Sequence, residues 1–141
     1  DLPVDLRHEC THALLHAHLA MVPLWLDEGL AEYFEMAPAA RAFGNPYLRA
    51  LQWRLRLGLI HSIETLEEAR TLADMGGSQY RSAWAWAHFM LHGPAAAHSV
   101  LVGFLADIRR GNPPGRLSER LHEAVPHLEA RMLHHLKHWR R

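Results

Sequence analysis

Cysteine is nearly missing from this chain: Cys10 is the only one in 141 residues, which excludes an internal disulfide and a cysteine-rich zinc site. Any zinc held here must therefore use histidine and carboxylate. Charge of one sign is lacking too, because fifteen Lys and Arg balance fifteen Asp and Glu. That balance offers no basic field to draw in nucleic acid, and none is expected as a partner. No run approaches the roughly 20 apolar residues of a membrane-spanning helix, and the opening DLPVDLRHE is not a signal peptide. The chain starts without Met only a few residues before its first motif, so it reads as a single domain, 1–141, cut from something longer.

Sustained polar–apolar alternation is also absent, whereas apolar residues recur at three- and four-residue spacing between prolines and glycines. The expected fold is all-α. A first helix is expected from about Val4 to Ala20 and a second over LWLDEGLAEYFEM, antiparallel to it across the turn at Pro23. Asn45 caps a third helix with Pro46 at its first position. A short fourth is expected over TLEEARTLAD. Ser78 begins a fifth that Gly93-Pro94 closes, and AAAHSVLVGFLADIRR is a sixth, stopped by GNPPG. Ser118 is expected to cap a short seventh, and Pro126 to open a last helix reaching Trp139.

What the chain has in abundance is histidine, thirteen in all. In LRHECTHALLH, His8, Glu9 and His12 stand in the order His-Glu-x-x-His. At these frequencies the pattern arises by accident in roughly one such chain in twelve, so it needs support from elsewhere. On a helix His8 and His12 lie about 40° apart, one turn along, and both imidazoles reach a common point. Glu9 points about 100° to the side, which suits a carboxylate that stays off the metal, holds the attacking water, takes its proton and passes it to the leaving amine. Three further pairs share the four-residue spacing: His12 with His16, His88 with His92, and His134 with His138. None has Glu after its first His, and the last two pairs are expected to be ordinary histidines on exposed helix faces or near helix ends.

A catalytic zinc requires a third protein ligand and one open position. With the second helix folded back on the first, Glu28 is the candidate third ligand. Glu32, one turn on, is then placed to accept the outer N–H of a zinc-bound imidazole, although the two carboxylates are free to exchange roles. The plainer alternative for both is a solvated acidic face in a helix's first turns.

RHECTHALLH followed by PLWLDEGLAEYFE resembles the gluzincin metallopeptidases, in particular the peptidase-MA-like group, across Arg7 to Glu35, with a weaker likeness through YRSAWAWAHFMLHG. The resemblance implies zinc as cofactor, a peptide or protein as substrate and hydrolysis by water activated at the metal. It implies His8, His12 and Glu28 as ligands, with Asp27 standing where Asn is usual, Glu9 as general base and acid, and Glu32 as the outer carboxylate. It also implies Tyr80 as the hydroxyl that steadies the oxyanion, with His88, two turns along, as the rival donor. The covered chain would be the helical C-terminal part of such a domain. The family's small sheet precedes the motif helix and aligns the substrate along an edge strand. Nothing in this chain reads as that strand, so a preceding segment or a partner is expected to supply it. The resemblance leans toward an extracytoplasmic site of action.

Trp84, Trp86, Phe89 and Met90 are expected in the core, and Cys10, about 200° around the helix from His8, is expected to be a small buried residue. The reading from another class is a non-catalytic zinc-binding interaction module, for which His16 closing the site as a fourth ligand would be the sign.

Overall fold

In the computed structural model, which describes residues 1–140, the chain is built from eight α-helices and one 3₁₀ turn, with no strand among the described residues. The helices are α1 (Leu2–His18), α2 (Leu24–Phe34), α3 (Pro46–Leu55), α4 (Ile63–Glu67), α5 (Gly77–His92), α6 (Ala95–Arg110), α7 (Leu117–Ala124) and α8 (Leu128–His138). None is long and apolar enough by itself to cross a membrane. The all-α expectation holds.

The hub is α5, which touches α2, α3, α4, α6 and α8. Its SAWAWAHFM stretch is apolar all round, and Ser82 to Met90 are all buried, including Trp84, Trp86, Phe89 and Met90. Of the buried polar groups in it, Trp84 Nε1 has no hydrogen-bond partner, whereas Ser82 and Trp86 both meet His61. Ser82 Oγ accepts the His61 amide at 3.1 Å, and Trp86 Nε1 donates to the His61 carbonyl at 3.1 Å. Against this hub α2 lies unusually close, because Gly29 faces Ala83: a Cβ at position 29 would stand 2.6 Å from the Ala83 carbonyl oxygen. The missing side chain lets the two backbones meet and fixes the depth at which the neighbouring Glu28 sits.

Several boundaries differ from expectation for local reasons. The fourth helix stops at Glu67, and the chain reforms only as the 3₁₀ turn Leu72–Asp74. Asp74 Oδ2 accepts the amides of Arg70 at 3.0 Å and Thr71 at 2.8 Å, a local arrangement that competes with helical bonding. Ser118 is not a cap. It lies inside α7, where its amide and hydroxyl both donate to the half-buried Glu67 carboxylate, which also takes Arg116 and so pins α7 to α4. The last helix begins at Leu128, after His127 has taken a left-handed conformation with φ 55°. Asn45 does cap α3, its side chain accepting the Tyr47 amide at 2.8 Å.

The largest difference concerns α1. None of its residues is buried, and Cys10 is exposed rather than packed. The helix touches the rest of the molecule through α2 on the side that carries Arg7, His8, Thr11, His12 and Leu15, leaving Leu2, Leu6, Cys10 and Leu14 outside.

Candidate metal centre

The partners along α1 and α2 run in opposite directions: His16 meets Asp27, His12 meets Asp27 and Glu28, His8 meets Glu28 and Glu35, and Arg7 Nε donates to the Glu35 carbonyl. This is the antiparallel pairing expected from the turn at Pro23. A five-residue connection suffices because Leu19 and Val22 anchor it on the core.

Three side chains converge. His8 Nε2 and His12 Nε2 are 3.1 Å apart, the first 3.7 Å from Glu28 Oε2 and the second 3.7 Å from Glu28 Oε1. A tetrahedral zinc with bonds near 2.0–2.1 Å needs its ligand atoms about 3.3 Å from one another, so these separations bracket the requirement. The outer nitrogens are occupied as well. His8 Nδ1 lies 3.1 Å from Glu35 Oε2, and His12 Nδ1 lies 2.9 Å from Asp27 Oδ1. A carboxylate only accepts, so each Nδ1 donates to its carboxylate and each ring presents Nε2 to the shared point.

The charge around them points the same way. Asp27 and Glu28 are 7% and 8% exposed, and Glu32 and Glu35 are half-buried beside them. Burial raises the Glu28 carboxyl above its ordinary value, although His12 and His8 pull it down, and burial followed by the Glu35 charge raises Glu32. Arg7, the nearest guanidinium in these contacts, spends its Nε on a backbone carbonyl. Two imidazoles and a buried carboxylate backed by further carboxylates form a donor set fit for a divalent cation of zinc type.

Of the expected site residues, His8, His12 and Glu28 therefore come together. Glu9 is exposed at the rim, close enough for its charge to act on Glu28. Tyr80, partly buried at the start of α5, feels the charges of Glu28 and Glu32. Burial and those charges raise its hydroxyl above the ordinary value, which keeps it a donor. Glu32 is not the oxygen behind either imidazole. Its carboxylate takes the Tyr47 hydroxyl instead, and the outer roles fall to Asp27 and Glu35. Sequence reasoning missed Glu35 and Tyr47, yet a signal for Glu35 was present: Glu28, Glu32 and Glu35 follow one helix face at i, i+4 and i+7. His16 does not close the site as a fourth ligand, since its Nε2 is held by Asp27 Oδ2 at 2.6 Å.

His88 is removed from the site. It is fully buried, its Nε2 donates to the Ala42 carbonyl at 3.0 Å, and its Nδ1 accepts from His135 Nε2 at 3.0 Å. It is thus neither the rival oxyanion donor nor a residue of an exposed helix face. Burial holds His88 down at about 3 and His135 at about 4, with no carboxylate among the causes to offset it. The unfolded chain binds these protons near 6.5 and the folded chain does not, so stability is complete above about pH 6.5 and falls as the pH drops toward 4. The urea midpoint is expected to be lower at pH 4.5 than at pH 7.5, with the His88 ring still neutral by NMR at pH 5. A His88 ring that titrates with the solvent-facing histidines would contradict this account.

Compared with known proteins, the chain matches no family model, no curated protein and no solved structure.

Proposed function

We propose that the chain is a zinc-dependent peptidase domain that hydrolyses peptide bonds with water activated at a metal held by His8, His12 and Glu28. The observation that carries this reading is the convergence of those three side chains, the two Nε2 atoms 3.1 Å apart and each 3.7 Å from a different oxygen of the Glu28 carboxylate, with carboxylates at the far nitrogens of both imidazoles. Zinc bound there supplies Lewis acidity, lowering the pKa of water toward neutrality.

The chain's own residues supply the rest. Asp27 and Glu35 fix the tautomer and direction of His12 and His8. Glu9, close enough for its charge to act on Glu28 without joining the ligand trio, accepts the proton of the attacking water and delivers it to the departing amine. Tyr80 donates its hydroxyl to the oxygen that gains charge as the carbonyl is attacked. A Glu9 carboxylate placed this way has no use in a purely structural zinc site, and the vacancy His16 leaves by binding Asp27 is what substrate access requires.

The test is cleavage of a peptide library by the purified chain, abolished by a chelator and restored by zinc; zinc binding at full occupancy without cleavage would favour the non-catalytic module. Within an active preparation, Tyr80→Phe is expected to lower kcat by about 10² to 10³ with KM and zinc content little changed, since the ring stays and only the donor leaves. A normal kcat in that variant would assign the oxyanion donor elsewhere.

A further inference from the structure

The zero net charge of the chain hides a strong segregation. Residues 36–63 and 130–141 contain eight of the fifteen Lys and Arg and no Asp or Glu. The remainder, with seven cations and all fifteen acids, carries eight negative charges in excess. The two acid-free segments meet in space. α3 packs on α8, and the Gln52 amide donates to the carbonyls of Leu136 at 3.2 Å and Trp139 at 3.3 Å. Between them lies an open groove of about 280 Å³ whose walls include Arg49, Trp53, Arg56, Lys137 and Arg140. Among the described residues, the Lys and Arg ion pairs involve Arg116 and Arg120 only, so the groove's cations face solvent uncompensated.

The same end carries apolar side chains that the fold does not use. Trp53 is 70% exposed, Leu57 65% and Leu59 55%, the two leucines flanking Gly58, whose φ of 67° turns the chain at the tip. A tryptophan, two leucines and a ring of arginines on one projecting corner combine two features that a bilayer surface rewards together. Anionic headgroups attract the cations, and the interfacial zone accepts the indole and the leucine side chains. A nucleic acid would reward the arginines and could stack on the indole, but it has no place for Leu57 and Leu59.

We infer that the α3–α8 corner is a peripheral docking surface for anionic lipid membranes, with the cations of the groove on the headgroups and Trp53, Leu57 and Leu59 inserted at the interface. Tyr47, hydrogen-bonded to Glu32 beside the metal centre, begins the same helix, and at 1.5 Å per residue Trp53 lies only about 9 Å along it.

The experiment is flotation of the purified chain with vesicles of phosphatidylcholine alone or with 30% phosphatidylserine, with bromine-labelled acyl chains to quench tryptophan. Trp25, Trp84 and Trp86 are buried and Trp139 half-buried, so quenching reports mainly on Trp53. The expected result is binding that requires phosphatidylserine, falls steeply with salt and quenches emission. Arg49→Gln with Arg56→Gln should weaken it about 25-fold, at roughly fivefold per cation. Leu57→Ser with Leu59→Ser should weaken it about tenfold or more at unchanged charge. Binding to neutral vesicles as strong as to anionic ones would overturn the proposal. So would anionic binding without quenching and indifferent to the leucines. Absence of vesicle binding, with inorganic phosphate or single-stranded DNA bound through the same arginines, would overturn it in favour of a small-anion or nucleic-acid site.

Discussion

Replacing Glu9 by glutamine is expected to lower peptide hydrolysis by about 10² to 10⁴-fold while the chain still takes up one zinc ion. The substitution keeps the size and most of the shape of the side chain and removes only its capacity to hold a proton. Glu9 is exposed and outside the converging trio, so nothing in the ligand geometry depends on it. Its nearness to Glu28 works in the same direction, because deleting a negative charge beside the ligands disturbs the metal little. Metal content and turnover should therefore separate cleanly. Loss of zinc in this variant would mean that Glu9 coordinates the metal, and undiminished turnover would mean that another group moves the proton.

Glu28→Ala is expected to abolish stoichiometric zinc binding, because it deletes the only carboxylate whose oxygens lie 3.7 Å from both inward-facing nitrogens. The neighbouring carboxylates should behave differently. Asp27→Asn and Glu35→Gln weaken the hold on ring orientation without removing a ligand, a loss of about 10- to 100-fold in affinity. Glu32→Ala, which frees the Tyr47 hydroxyl, should cost less than Glu28→Ala. A competition titration with a zinc chelator checks the order. Were Glu32→Ala the more damaging, the third ligand would be Glu32.

The helices and the inward face of α1 were legible in the sequence because they depend on local spacing. His8 and His12 one turn apart, Pro23 as a turn, Asn45 before Pro46 and the aromatic run of α5 each state their consequence within a few residues. What depended on non-local packing was not legible. Glu67 looks like any acidic residue of a short helix, yet it is half-buried against Ser118 and Arg116 fifty residues away. His88 looks like the first of a surface pair until α8 and Ala42 close over it. Cys10 was expected inside because helices usually bury one face against a core, whereas α1 meets α2 through the face that carries His8 and His12 and leaves Cys10 exposed. The exchange of Glu32 for Glu35 and Asp27 has a similar origin. Spacing put Glu32 near the imidazoles, but side-chain reach across the α1–α2 contact gave the outer roles to Glu35 and Asp27.

His8, His12 and Glu28 are proposed to hold zinc and leave one position open. Zinc-edge X-ray absorption on the metal-loaded chain tests this most directly, because imidazole, carboxylate and thiolate scatter differently. Two imidazole nitrogens near 2.0–2.1 Å, one carboxylate oxygen and one exchangeable light-atom ligand, with one imidazole contribution lost in His12→Ala, is the predicted result. A third imidazole, from His16, or a sulfur near 2.3 Å, from Cys10, would contradict it.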